Sequence, residues 1–149
     1  MSKSPTRVQR LVRLNQFREE QASGALREAI AHQLRALEAH DSATAAVDVL
    51  GEWKLRGQGA AGLDLAFYSA ALDLESSAMV RAEEMKQAHV VSKQQSARAQ
   101  EALIDAACAM RVSENRGKRE HALAELAREK RSFDQISDVW LNNREESHD

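Results

Sequence analysis

The chain has 149 residues, about one domain by length. Of its residues 43% are hydrophobic, but 26 of these are alanine and only 30 residues are Leu, Ile, Val or Phe, too few for a thick globular core; one proline, six glycines and 4% aromatics also exclude a β-sandwich or barrel. A net charge of −2 excludes a global pull toward nucleic acid or anionic membrane, and the lone Cys108 excludes an internal disulfide and suits a reducing compartment.

Residues Met1–Arg7 carry no apolar signal core, and no apolar run approaches the ~18–20 residues that span a bilayer, so the expected location is the cytoplasm. Ser4 offers an N-cap oxygen and Pro5 suits the first helical position. Nothing then forces a break before Gly57, which predicts a first helix over about 5–55. Within it, helical spacing groups Val8, Leu11 and Val12, then Leu26, Ile30, Leu34 and Leu37, then Val47, Leu50 and Trp53. A helix of about 50 residues is about 75 Å long and is not stable on such a narrow stripe alone.

The glycine-rich segment 56–63 predicts a turn. A second helix follows over about 64–143, capped by Asp64, with Leu63 and Tyr68 at staple positions, and a tail over 144–149. In this helix Leu65, Tyr68, Leu72, Met79 and Ala82 follow an a/d pattern. Leu103, Ala107 and Met110 continue it, and Leu126, Phe133 and Trp140 end it. Between Lys86 and Glu101 only Val90, Val91 and alanines fall on that stripe, which predicts a thin contact there. The expected fold is therefore all-α: one long two-helix antiparallel coiled-coil hairpin, whose second arm outruns the first by about 30 residues and must project or bend. Gly24, Gly51 and Gly117 lie inside the helices as soft points or places of close approach.

Charge is segregated. Between Glu38 and Glu75 there are seven acids and two bases, so the tip is acidic. Between Lys3 and Arg13 there are four bases and no acid, and between Arg111 and Arg131 seven bases and four acids, so the open end is basic. Gly57-Gln-Gly59-Ala-Ala-Gly62 is a literal G-x-G-x-x-G, but beyond Val47-Asp-Val-Leu50 no β-like run exists to build a dinucleotide fold, so it reads as a hairpin turn. The five histidines form no i, i+3 or i, i+4 pair with one another or with Cys108, and no metal site is expected; Glu28/His32 and His121/Glu125 read as surface pairs. Cys108 lacks an assignable base, and acids and bases strung along a rod enclose no pocket, so neither catalysis nor a cofactor is expected. Arg7, Arg10 and Arg13 read as a solvated face or a protein contact rather than a phosphate or membrane contact. A thin hairpin cannot bury Trp53, Phe67, Tyr68, Phe133 and Trp140 together, so some are either docking points or plugs at the ends.

An arginine-rich first helix leads to Leu50-Gly-Glu-Trp-Lys-Leu55 and a glycine turn. Phe67-Tyr-Ser-Ala-Ala-Leu-Asp-Leu74 then opens a long Ala/Glu/Arg helix, which ends with Asp134, Asp138, Trp140-Leu141 and Arg144. Nearly the whole chain resembles the FliJ/YscO family, central-stalk proteins of flagellar and injectisome type III secretion ATPases, and most of all its injectisome branch. The resemblance implies a hairpin similar to the γ stalk of rotary ATPases. Its open end would sit in the pore of a hexameric ATPase ring, and the protein would link that ring to the export gate and bind secretion chaperones. Arg7, Arg10, Arg13, Arg128, Lys130, Arg131 and Trp140 would then contact the ring, and Trp53, Phe67 and Tyr68 the export gate or chaperones. The other expectation, of a different class, is a free-standing coiled-coil adaptor or chaperone-binding protein.

Overall fold

Thr6 starts the first helix. Its Oγ1 accepts from the Gln9 amide at 3.3 Å while Gln9 Oε1 accepts from the Thr6 amide at 3.0 Å, a reciprocal cap. The helix α1 runs Arg7–Arg56. Asp64 caps the second helix: its Oδ1 accepts from the Ala66 and Phe67 amides, each at 3.2 Å, and α2 runs Leu65–Glu146. The computed structural model describes residues 6–56, 62 and 64–147. The caps expected of Ser4 and Pro5, the staple partner Leu63 and the turn residues 57–61 lie outside these; Gly62 has a left-handed φ of 98°. Val47–Leu50 is helical, and the described residues contain no strand. The expected tail begins too early, because Arg144, Glu145 and Glu146 continue α2.

Two long helices packed against each other make the fold, and the chain divides into two compact units: Glu20–Ile104, and Met1–Glu19 with Asp105–Asp149. In the unit Glu20–Ile104 the helices run antiparallel, since Gln33 meets Ser96 and Lys54 meets Glu75. Least-exposed positions recur at strict alternating steps of three and four. On α1 they are Ala22, Leu26, Ala29, Gln33, Ala36, His40, Ala43, Val47, Leu50 and Lys54. On α2 they run Tyr68, Ala71, Glu75, Ala78, Ala82, Met85, His89, Ser92, Ser96, Ala99 and Leu103. This is a heptad seam made mostly of small and polar residues. Ser92 is its most buried member, 1% exposed, its hydroxyl donating to the His89 carbonyl at 2.7 Å. Small side chains let two helices approach closely, because interaxial distance follows the size of the residues at the contact.

The seam corrects the sequence reading. Leu26, Val47, Leu50, Tyr68, Ala82 and Leu103 do lie on it. Ile30, Leu34, Leu37, Trp53, Leu65, Leu72 and Met79 are exposed instead. Val90 and Val91, placed with alanines on the thin stripe expected over 86–101, also face outward, while His89, Ser92, Ser96 and Ala99 fill the contact. The reason is spacing. The bulky residues of α1 step by four, four and three from Leu26 and drift off the contact, whereas the small residues keep the heptad. A Cβ at Gly24 would meet nothing within 4 Å, so the helix cost of this glycine, about 1 kcal/mol relative to alanine, goes uncompensated. At Gly51 a Cβ would touch Glu75 Oε1 at 3.7 Å, an ordinary contact.

In the unit Met1–Glu19 with Asp105–Asp149, Val8, Val12, Asn15 and Glu19 of α1 meet Ala106, Met110, Ser113 and Gly117 of α2. Asn15 is buried and donates from Nδ2 to the Ala109 carbonyl at 3.4 Å; Ser113 donates to the Met110 carbonyl at 2.8 Å. A Cβ at Gly117 would stand 3.4 Å from Val8 Cγ1, so this glycine marks close approach. Beyond Gly117 every described residue of α2 is exposed except the half-buried Ser137. This run of 29 helical residues to Glu146, about 44 Å at 1.5 Å per residue, has no partner on α1. It needs no new nucleation, is rich in Ala, Leu, Glu, Lys and Arg, and carries the pairs Arg116–Glu120 at 3.4 Å and His121–Glu125 at 3.6 Å.

Candidate functional site

The first candidate surface forms where α1 begins. Val8 turns into the seam, which sets Arg7, Arg10, Leu11 and Leu14 on its flank. Together with Arg116 of α2 they line an open groove of about 400 Å³. Three guanidinium-bearing side chains around an apolar floor suit an acidic, partly apolar protein segment, because arginine combines fixed charge with planar donors. Sequence reasoning misses Arg116. Its signal is the basic run 111–131, but its placement needs the α1–α2 register. Arg13 is exposed on another side of α1 and does not line the groove.

Arg128, Lys130 and Arg131 stand on the unpaired run of α2, past its last contact with α1, and are exposed. Trp140 is 60% exposed, with the Arg144 guanidinium 5.3 Å from its ring centroid. Phe133 and Trp140 share an open apolar surface with Ile136, Ser137 and Leu141. The seven residues expected at one contact thus split in three: Arg7 and Arg10 in the groove, Arg13 apart from it, and Arg128, Lys130, Arg131 and Trp140 along the free run.

In the unit Glu20–Ile104, Trp53 and Phe67 are each about half exposed on different helices, while Tyr68 turns into the seam. Beside them the Lys54 Nζ donates to Glu75 Oε2 at 2.7 Å, with both side chains mostly covered. That hydrogen bond holds the Lys54 ammonium above its ordinary value of 10.5; burial opposes it, and the Glu75 charge and the Tyr68 phenol add to it. A group whose folded value is raised stabilises fully below its unfolded value and loses that contribution as pH rises through the folded one. The melting temperature should therefore fall above pH 10.5, and less steeply in Glu75→Gln, which lacks the carboxylate partner; equal slopes in the two proteins would remove the pair from the account. Hydrogen bonding from Gln87, with Lys86 nearby, holds Glu83 below its ordinary 4.5.

Among the described residues no three His, Cys, Asp or Glu side chains cluster as metal ligands. His40 stands 3.8 Å from Asp41, and the buried Nδ1 of His89 has no hydrogen-bond partner among the described residues. Cys108 is exposed. No described helix is long and apolar enough to cross a membrane. No protein-family model, curated protein or solved structure matches the chain.

Proposed function

We propose that this chain is a non-enzymatic coupling protein, a helical hairpin that works by docking basic and apolar side chains onto larger partners. Within that class it is read as a type III secretion stalk protein of FliJ/YscO type. It would dock in the pore of the hexameric secretion ATPase, link it to the export gate and secretion chaperones, and serve virulence-associated protein transport from the cytoplasm, peripheral at the inner-membrane secretion apparatus. The observation that carries the reading is the gathering of Arg7, Arg10 and Arg116 around one apolar groove, in the unit that also bears Arg128, Lys130 and Arg131. The likeness of the Trp53 and Trp140 segments to that family adds to it.

The mechanism is a coupling free energy. An asymmetric helical body that touches the subunits of a symmetric ring unequally biases them toward different states, and the ring acts back on the body to the same extent. The test is turnover and oligomerisation of the cognate ATPase with and without this chain. Wild type should raise both, and the triple variant Arg7→Glu, Arg10→Glu, Arg13→Glu should abolish the effect. A full response from the triple variant would remove the ring contact. The other reading, a free-standing adaptor or chaperone-binding protein, is favoured by Ile30, Leu34 and Leu37, which expose an apolar flank beside the seam at helical spacing. Pull-down would then recover chaperones and no ATPase.

A further inference from the structure

We propose that the unpaired run of α2 is a self-association surface, through which two copies of this chain pair side by side and antiparallel. This goes beyond the coupling role and does not depend on it. Phe133 is 72% exposed, and Leu126 and Trp140 flank it at seven residues on either side. At about 100° per residue these three lie about 140–180° round the helix from Gly117, where α1 makes its last contact. The stripe therefore faces away from α1, and a different helix has to cover it.

The pattern names that helix. Apolar spacing is symmetric about Phe133, so an antiparallel second copy sets Phe133 against Phe133 and each Leu126 against a Trp140. Charge obeys the same centre. Over equal reaches on either side of Phe133, residues 119–132 carry four bases and three acids, and residues 134–147 carry four acids and one base, with Arg128 mirrored by Asp138. Antiparallel pairing lays each mildly basic half on an acidic half, whereas parallel pairing sets the two acidic halves together. Area also suffices: an aromatic ring offers about 150–250 Å², and with Ile136 and Leu141 alongside, two copies reach about the 1,200 Å² total at which stable interfaces begin.

Sedimentation velocity of the full chain across a concentration series tests the pairing. The mass should rise from one chain to two, and the rise should weaken in high salt as the charge component is screened. Phe133→Glu should weaken dimerisation at least tenfold with unchanged helical circular dichroism, since the ring is exposed in the single chain. For orientation, in a Cys108→Ser background, a Leu126→Cys protein mixed with a Trp140→Cys protein should form a mixed disulfide, and Leu126→Cys alone should not. A monomer at every concentration, a dimer indifferent to Phe133→Glu, or a disulfide from Leu126→Cys alone would each overturn the proposal. A monomer would leave the stripe to another protein, and the ATPase test with the Arg7, Arg10 and Arg13 reversals would stand or fall separately.

Discussion

Ser92→Leu should destabilise the hairpin by about 1–3 kcal/mol, the usual cost of forcing extra carbons into a closed contact, and Leu34→Ser should change stability by no more than about 0.5 kcal/mol. The ordering inverts what the residue types suggest. Ser92 is covered almost completely and its hydroxyl is satisfied by the His89 carbonyl, so a leucine there must push the helices apart. Leu34 is 56% exposed and its replacement opens no cavity. Guanidinium unfolding of the two variants measures both. A tolerated Ser92→Leu together with a damaging Leu34→Ser would mean that the bulky stripe is the true contact and the small one faces water.

Deleting residues 120–149 should leave the melting temperature of the hairpin nearly unchanged and sharply reduce its stimulation of the ATPase. Every seam residue, through Gly117, survives the deletion, while Phe133, Trp140, Arg128, Lys130 and Arg131 are lost. The described residues of the run removed are exposed but for the half-buried Ser137, so their loss takes away surface and little packing. Circular dichroism melting and the ATPase assay read the two effects separately. Full ATPase stimulation by the shortened chain would assign the ring contact to the Arg7–Arg10–Arg116 groove alone.

Helix content, the Asp64 cap and the place where the chain reverses were legible because they depend on local signals: caps, the glycine cluster and the scarcity of β-branched runs. The excess length of α2 was legible from simple subtraction. Which face pairs was not. Bulky residues dominate a hydrophobicity pattern, and here they are the ones left outside; the heptad lies in alanines, serines and single polar residues such as Gln33, Asn15 and Glu75, which carry little apolar signal. The alternating steps of three and four from Val8 to Lys54 are present in the sequence, but they emerge only when small residues are weighted as contacts. The T-x-x-Q cap at Thr6 and Gln9 was likewise readable and was hidden behind the more conspicuous Ser4-Pro5. The basic groove was half legible: Arg7 and Arg10 stand out in sequence, whereas Arg116 joins them only through a register set by contacts 94 residues apart, such as Asn15 with Ala109.

A seam of small residues beside bulky outward faces assigns two duties to two sets of positions. Side-chain size at Ala43, Ala71 and Ser92 governs whether the helices close; side-chain character at Leu34, Phe133 or Trp140 governs what surface the hairpin presents. Substitutions of the second kind can accumulate without disturbing the first. Such a hairpin can have its outer faces rewritten, residue by residue, while its own architecture stays intact.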